Sequence, residues 1–495
     1  MNGPRPARTV PAQAAGIPPV RATIDLRLDG NQGRAPDAAL LGQLAAEPEL
    51  VRSYPFDRSL EAALAARHGI AAERVFVGAG GDDVLDRLCR AVLEPGRTAI
   101  VPQPTFEMLP RYVALAGANL VAPAWHSGAW PREAVLAAID ADTALVAIVS
   151  PNNPTGLCAT GDDLRAVLAA APHAVVLLDA AYAEFGGEDL TALASGHAHA
   201  VVVRTFSKAF GLAGLRVGYA LASPTVVQWL GAVGSPFTAG TLARRAALLR
   251  LQDESQAVAD YVQQVAQERV AFTALLHELG SDVLPSAGNF CFVRGGDPAW
   301  LRDALAGLGI AVRAFATGVR VTMPGNAHAF ARLAAAVRAA LAPQALLLDL
   351  DGVLADIEAR RALTAVEQVA ALAARLPLGV VTSCPRRLAE SVLQRHGFAP
   401  FVRALVTSED GPGKPDPAPV RLALQRLGVQ HAWMLGDNPS DVTAARRAGV
   451  VPLAIDPHGI GAEAHAERLR AAGAARLVGS LADLPVLPAG PISGH

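Results

Sequence analysis

The stretch Arg204-Thr205-Phe206-Ser207-Lys208-Ala209-Phe210-Gly211-Leu212-Ala213-Gly214-Leu215-Arg216 decides the reading of the first two thirds of the chain. Lys208 follows two short hydroxyl side chains, Thr205 and Ser207, and Arg216 lies eight residues further on. The lysine offers a primary amine to an aldehyde, while the hydroxyls and the arginine make a cradle for an anion beside it. Pyridoxal phosphate carries both groups, so the pattern reads as a Schiff-base site for that cofactor. A Ser-Lys pair alone would be an ordinary surface lysine near a helix start. The hydroxyls, glycines and arginine in one register set this stretch apart.

Composition bounds what surrounds it. The chain has 495 residues, 52% of them apolar and 18% charged, enough material for two or three well-packed domains and unlike a disordered chain. A formal net charge of −2, with no basic block dominating either half, gives no electrostatic ground for binding nucleic acid or an anionic membrane surface. Cys89, Cys158, Cys291 and Cys384 are scattered without metal-ligand spacing and suit a reducing cytoplasm. Met1 to Pro19 lacks the apolar core of a signal peptide, and no later run is long enough to span a bilayer. Residues 1–22 are expected to form a loose arm.

Beyond the arm, Ile24 to Leu28 alternates as a short strand and enters a turn at Asp29-Gly30-Asn31. Ser53-Tyr54-Pro55 precedes an amphipathic helix from about Ser59 to His68. A strand, Arg74 to Val77, leads through Gly78-Ala79-Gly80-Gly81-Asp82-Asp83 into a helix ending near Val92. Such glycines let backbone N–H groups crowd an anion at a helix N-terminus, where the dipole also favours negative charge. The third glycine of a dinucleotide fingerprint is absent. The strand Thr98 to Val101 leads to Pro104-Thr105-Phe106, and the apolar run Leu145 to Val149, typical of a parallel strand buried on both faces, ends in Ser150-Pro151-Asn152-Asn153-Pro154-Thr155-Gly156. The strand Ala174 to Leu178 delivers Asp179, with Tyr182 just beyond. An aspartate there is costly to bury unless it meets a cation. A protonated pyridine nitrogen is such a cation, and Asp179 would keep it protonated so that the ring can accept the electron pair released when a substrate's Cα–H bond breaks. Further on, a long helical pattern runs from beyond Phe237 to about Leu279, and Gly318-Val319-Arg320-Val321-Thr322 presents an arginine able to grip a carboxylate or phosphate in bidentate fashion.

The segment RTFSKAFGLAGLRVGYAL, with these motifs, resembles the fold type I aminotransferases, most closely the histidinol-phosphate aminotransferases, over about Thr23 to Leu341. The resemblance implies that Lys208 is the cofactor lysine, and that Gly81, Asp82, Asp83, Thr205, Ser207 and Arg216 serve the cofactor phosphate. It implies that Phe106 stacks on the pyridine ring, that Asn153 bonds the phenolic oxygen, and that Asp179 and Tyr182 complete the cofactor site. Arg320 then belongs to the carboxylate-binding segment, and Asn31 lies near the substrate. Tyr54 would reach the cofactor phosphate of a neighbouring subunit, which implies a homodimer. Two departures stand out: Gln32-Gly33-Arg34 replaces the family's acidic residue followed by Asn-Pro or Tyr-Pro, and Asp179-Ala180-Ala181-Tyr182 replaces Asp-Glu-Ala-Tyr.

Pro343 stops a helix predicted over Ala327 to Leu341, and a strand, Ala345 to Leu348, follows almost at once, ending in Asp349-Leu350-Asp351-Gly352. Two carboxylates at a strand's carboxyl end occupy the ligand-binding edge of an open α/β sheet. Downstream come Val380-Val381-Thr382, Gly413-Lys414-Pro415, and Gly436-Asp437 with Asp441 four residues later. In this order the motifs resemble the haloacid dehalogenase-like phosphohydrolases. The resemblance implies Asp349 as nucleophile, Asp351 as general acid and base, Thr382 as phosphate contact and Lys414 as charge neutraliser. Mg2+ would be held by Asp349, Asp437 and the carbonyl of Asp351, supported by Asp441. About thirty residues separate Asp351 from Thr382, too few for a lid domain, which leaves that site open or covered by the aminotransferase portion or a second subunit.

The expected fold is thus α/β throughout: a fold type I pyridoxal phosphate transferase over residues 23–343, with a large domain at about 50–238 and a small one from 23–49 and 239–343. A Rossmann-like haloacid dehalogenase-type domain without a large cap follows over residues 344–495. The expected cofactors are pyridoxal 5'-phosphate and Mg2+, and the expected partners are an amino acid, a 2-oxo acid and a phosphomonoester. The reading is bifunctional: transamination of histidinol phosphate or imidazole-acetol phosphate with glutamate or 2-oxoglutarate, and phosphomonoester hydrolysis. A different aminotransferase substrate, a phospho-amino-acid decarboxylase and a non-catalytic C-terminal interaction module stand as alternatives.

Overall fold

The computed structural model describes residues 24–253, 255–456, 458 and 461–485; the expected arm over 1–22 lies outside them. Continuous apolar runs become central strands. Thr143–Val149 is buried along its whole length, as are Val175–Asp179 and Ala200–Thr205. They form the middle of a seven-stranded sheet whose order is Val75–Gly78, Gly218–Leu221, Ala200–Thr205, Val175–Asp179, Thr143–Val149, Thr98–Ile100, Asn119–Val121. The strand Gly218–Leu221 runs antiparallel to both neighbours, and the other pairs are parallel. Helices cover both faces, so this half is a three-layer α/β unit.

A second layer system stands beside it. Phe290–Arg294 is flanked by Gly318–Thr322 and Asp282–Leu284 in a four-stranded antiparallel sheet completed by Arg313–Phe315. The N-terminal strand is shorter than its alternation predicts. Only Leu26–Arg27 pairs, in parallel, with Ile310–Ala311, because the following residues turn into the cleft between the sheets. The long helical pattern after Phe237 is two helices, Thr241–Asp253 and Ser255–Glu278.

The third sheet is six-stranded and wholly parallel, in the order Val402–Val406, Leu378–Val381, Ala345–Leu348, Ala432–Gly436, Val451–Ile455, Arg476–Val478. Between Asp351 and Thr382 lie only the hairpin Ala355–Asp356/Arg361–Ala362, the helix Val366–Ala373 and the strand Leu378–Val381, so there is no lid domain.

This sheet is welded to the rest through the amino ends of its strands. The Trp433 indole, 1% exposed, donates to the Ala339 carbonyl at 2.8 Å and packs edge-on against Trp300 with ring centroids 4.8 Å apart. Arg476 bonds Asp297 at 3.0 Å and lies over the Trp300 ring. A Cβ on Gly307 would meet Ala475 and Pro452 at 3.1 Å, so the helix Pro298–Gly307 seats directly on the base of the third sheet.

Candidate active sites

The carboxyl edge of the seven-stranded sheet, where parallel strands in open α/β sheets present their ligands, opens into a cavity of about 370 Å3 against the four-stranded sheet. It gathers Gly81, Asp82, Phe106, Asn153, Asp179, Tyr182, Thr205, Ser207, Lys208, Arg216, Asn31 and Arg320 from segments spread over some three hundred residues of chain.

The Lys208 ammonium donates to the Gly30 carbonyl at 3.2 Å and sits 5.6 Å from the Tyr182 ring centroid. Close packing of two loops holds it there. A Cβ on Gly33 would lie 1.7 Å from the Lys208 carbonyl oxygen, and one on Gly211, whose φ is +72°, would lie 1.9 Å from the Arg34 oxygen. The unexpected Gln32-Gly33-Arg34 therefore has a steric reason: backbone touches backbone, and only glycine permits it.

Asp179 is buried, and its carboxylate accepts from the Ala181 N–H at 3.1 Å. Burial raises its pKa to about 6, and the Asp82 charge adds to the rise. A buried carboxyl facing a cavity in this state fits a protonated ring nitrogen. At the opposite end Arg216 holds a left-handed backbone at φ 52° and reaches Asp82 at 2.9 Å and the Ser207 hydroxyl at 3.4 Å. Thr205 and Ser207 bond each other at 3.0 Å. A side chain on Gly80, φ +85°, would collide with the Arg216 guanidinium. These hydroxyls, the guanidinium and the start of the helix Gly80–Val92 compose an anion cradle that fits a phosphate.

Arg320 is buried, and its guanidinium donates to the Asn153 amide oxygen and the Asp29 carbonyl. Its Nε makes no hydrogen bond, and among the described residues it has no carboxylate partner. Burial, helped by the Arg313 charge, lowers its pKa to about 10. Such a group is poised for an anionic ligand.

Four expected positions sit as follows. Asp83 does not line the cavity; its carboxylate caps the helix through the Ala79 N–H and binds Arg87 and Thr238, so it organises the cradle from outside. Asn31 lines the cavity but spends its amide on structure, donating to the Tyr182 hydroxyl at 2.9 Å and accepting from Thr322 at 2.8 Å. Tyr54 is 68% exposed and clusters with Phe56 and Phe237 at the surface, away from the cavity of its own chain. Asp351 belongs to the second site, below. Sequence reading passed over Glu107, Arg313 and Phe315, which also line the cavity. Arg313 could have been found only from the strand pairing that sets it beside Arg320.

At the carboxyl ends of the strands of the third sheet, ligand atoms of Asp349, Asp437 and Asp441 lie within 4.8 Å of one another. Lys414 neutralises them in part, at 2.9 Å from Asp349 and 2.5 Å from Asp441, and donates to the Val381 carbonyl. Burial and the Asp441 charge push the Asp349 carboxyl upward despite Lys414, and the Asp437 carboxyl is raised for the same two reasons. Three carboxylates against one ammonium leave excess negative charge among hard oxygen donors, which fits a divalent cation such as Mg2+. Thr382 is buried nearby at the end of its strand and accepts from the Cys384 N–H. The Asp351 carboxylate stands outside the three-carboxylate cluster, is exposed, and accepts from the Ile357 N–H of the hairpin at 2.9 Å. The expected metal ligand at this position is the Asp351 carbonyl, and the side chain here holds the hairpin. His465, unnoticed in the sequence, contacts the Asp437 carbonyl at 2.7 Å. Because the aminotransferase portion abuts the amino ends of the same strands, about 13 Å away at 3.3 Å per residue, it does not cover this site.

The fold and the first cavity define an aminotransferase, and the third sheet adds a phosphohydrolase-type unit. The chain belongs to the aminotransferase class I and II family, whose model matches residues 25–337. Residues 234–449 match the family model for haloacid dehalogenase-like hydrolases, a match that begins within the aminotransferase portion although the strands of the third sheet start at Ala345. Similar proteins include the histidinol-phosphate aminotransferase of Staphylococcus saprophyticus, 37% identical over 50% of this chain and 72% of its own. Histidinol-phosphate aminotransferase 1 of Dechloromonas aromatica is 36% identical over 61% of this chain and 84% of its own. Among solved structures, histidinol-phosphate aminotransferase from Sinorhizobium meliloti in complex with pyridoxal-5'-phosphate matches with a TM-score of 0.59 and 26% identity, over 64% of this chain and 91% of that one. The chain is therefore an enzyme whose first two thirds have the fold that uses pyridoxal phosphate.

Proposed function

We propose that the portion over residues 23–343 transfers an amino group between glutamate and imidazole-acetol phosphate, giving histidinol phosphate, and that the portion over residues 344–495 hydrolyses that phosphate ester. The observation that carries the reading is the convergence on one cavity of Lys208, Asp179 and Arg320, which has no carboxylate partner among the described residues, in a chain whose relatives are histidinol-phosphate aminotransferases. Bound pyridoxal phosphate supplies an electron-accepting ring. Thr205, Ser207, Arg216, Gly81 and Asp82 would hold its phosphate, Phe106 one face of the ring, and Asn153 and Tyr182 the phenolic edge. Asp179 keeps a proton at the ring nitrogen. Lys208 carries a proton at Nζ to and from the substrate carbon, and Arg320 orients the substrate's anionic group. We infer a homodimer in which the exposed Tyr54 cluster serves the neighbouring subunit. A cytoplasmic location accords with the four free cysteines and with the absence, among the described residues, of any helix long and apolar enough to cross a membrane.

In the second site Asp349 attacks phosphorus while Lys414 and Thr382 hold the phosphoryl oxygens, and Asp351, released from the hairpin, protonates the leaving alcohol oxygen as its P–O bond breaks; Asp351 then takes a proton from water, which attacks the aspartyl-phosphate and frees inorganic phosphate and Asp349. Asp349, Asp437, Asp441 and the Asp351 carbonyl would hold Mg2+. The hydrolase site lies at the end of the third sheet away from its contact with the aminotransferase portion, and the first cavity lies between the other two sheets, so we infer that the intermediate passes between the sites through solvent.

The test supplies imidazole-acetol phosphate, glutamate and Mg2+. Wild type is expected to yield histidinol and phosphate, Asp349→Asn to stop at histidinol phosphate, and Lys208→Ala to form neither. Phosphate release from histidinol phosphate no faster than from arbitrary phosphomonoesters would remove the shared-substrate part of the proposal.

A further inference from the structure

Arg313 and Arg320 stand directly opposite each other on adjacent antiparallel strands, so their side chains leave the same face of the sheet about 5 Å apart at Cβ. Both line the cavity, but they are held differently. Arg320 is buried and has no carboxylate partner among the described residues. Arg313 is ion-paired at 2.6 Å with Glu107, and both members are half-exposed, at 36% and 44%. Glu107 follows Phe106 on the seven-stranded side of the cleft, so the pair crosses the cavity mouth from one sheet system to the other. Arg313 is also among the charges that lower the proton affinity of Arg320, after burial itself. Two adjacent guanidiniums with one displaceable carboxylate make a subsite that can present either one positive charge or two.

We propose that Glu107 is the specificity-determining counter-ion of this subsite: it stays on Arg313 when a substrate brings one negative charge to Arg320, and it leaves Arg313 when a substrate brings a dianion, such as a phosphate ester, to both arginines. The inference rests on the transamination reading of the cavity but not on the identity of the phosphorylated substrate. The physical basis is a difference in strength. A half-exposed ion pair shifts an equilibrium only a few-fold, whereas a dianion shared by two guanidiniums makes several charge-assisted bonds at once. An aminotransferase must seat two different acids at one place in successive half-reactions. A permanently doubly charged subsite would leave an unmatched cation, the half-exposed Arg313, beside a monocarboxylate. The movable Glu107 matches both.

The experiment uses the holoenzyme and measures competitive inhibition against glutamate by acetate and by methylphosphonate, at a pH where the latter is a dianion. The C–P bond of methylphosphonate keeps the hydrolase site from consuming it. Glu107→Gln is expected to tighten methylphosphonate relative to acetate by about two- to fivefold, the strength of the competing pair. Arg313→Gln is expected to weaken it relative to acetate by about tenfold or more. Opposite signs support the proposal, because a merely structural bridge would weaken binding in both variants. A weaker or unchanged preference for methylphosphonate in Glu107→Gln overturns it. Failure to turn over histidinol phosphate, with the opposite signs intact, would sink the substrate assignment and leave the role of Glu107 standing.

Discussion

Asp179 is readable at the level of a single side chain because burying a carboxylate has a known cost, and the structure puts that cost to work. Its pKa in the cofactor-free fold, about 6, lies above the ordinary 3.8. The group's stabilising contribution is therefore complete below pH 3.8 and is lost as pH rises through about 6. The loss is on the order of 3 kcal/mol at neutral pH. Cofactor-free wild type should thus melt at progressively lower temperature across this interval, while Asp179→Asn, which cannot ionise, should not show that loss. At pH above the interval the cofactor-free variant should melt higher than cofactor-free wild type yet gain less on addition of pyridoxal phosphate. Calorimetry of both proteins with and without cofactor checks this, and equal gains would deny Asp179 its place at the ring nitrogen. Lys208, Asp179 and Arg320 were all legible in the sequence, since each is a reactive or charged residue at a strand end or within a distinctive motif. The hydrogen-bond partners of Asp83 and Asn31 were not legible, because which way a side chain turns depends on residues, here Arg87 and Tyr182, that no local pattern reveals.

Elements meet most tightly where the N-terminal segment crosses the lysine loop. Gly33 and Gly211 each leave no room for a side chain against backbone atoms that have no means of yielding. Gly33→Ala should cost about 1–3 kcal/mol, as overpacking does, and should remove transamination with it, since the Lys208 carbonyl must move. Gly42 is a contrast in the same region: it lies in the helix Ala38–Ala45, and a Cβ there meets nothing within 4 Å. Gly42→Ala should stabilise by about 0.5–1 kcal/mol through chain entropy and helix propensity. Denaturant unfolding of the two variants gives the signs. The strands of the seven-stranded sheet that carry continuous apolar runs were legible to within a residue or two at each end, whereas Asn119–Val121 and Gly218–Leu221 were not read as strands. The N-terminal strand was not, because its length is set by a partner nearly three hundred residues away, Ile310–Ala311, and not by its own alternation.

At the scale of the whole molecule, the interface of Trp433, Trp300 and the helix Ala327–Leu341 is packed like a domain core. Trp433→Ala should cost about 3–5 kcal/mol, and because the indole bridges the two halves, the loss should be felt in the aminotransferase: the visible absorbance of bound cofactor should disappear at lower temperature on heating. A midpoint unchanged from wild type would mean that the halves unfold independently. The sequence by itself determined two catalytic units and nearly all of their reactive groups, because nucleophiles, strand-end carboxylates and glycine turns are local motifs. Three things came only from the tertiary structure. The hydrolase site turns away from the aminotransferase, because the connection enters its sheet at the amino ends of the strands while the carboxylates sit at the carboxyl ends. Glu107 meets Arg313 only because two sheet systems close on one cavity. Arg313 neighbours Arg320 only through antiparallel register. Orientation, closure and register are all relations between distant segments, and a linear pattern of residues does not contain them.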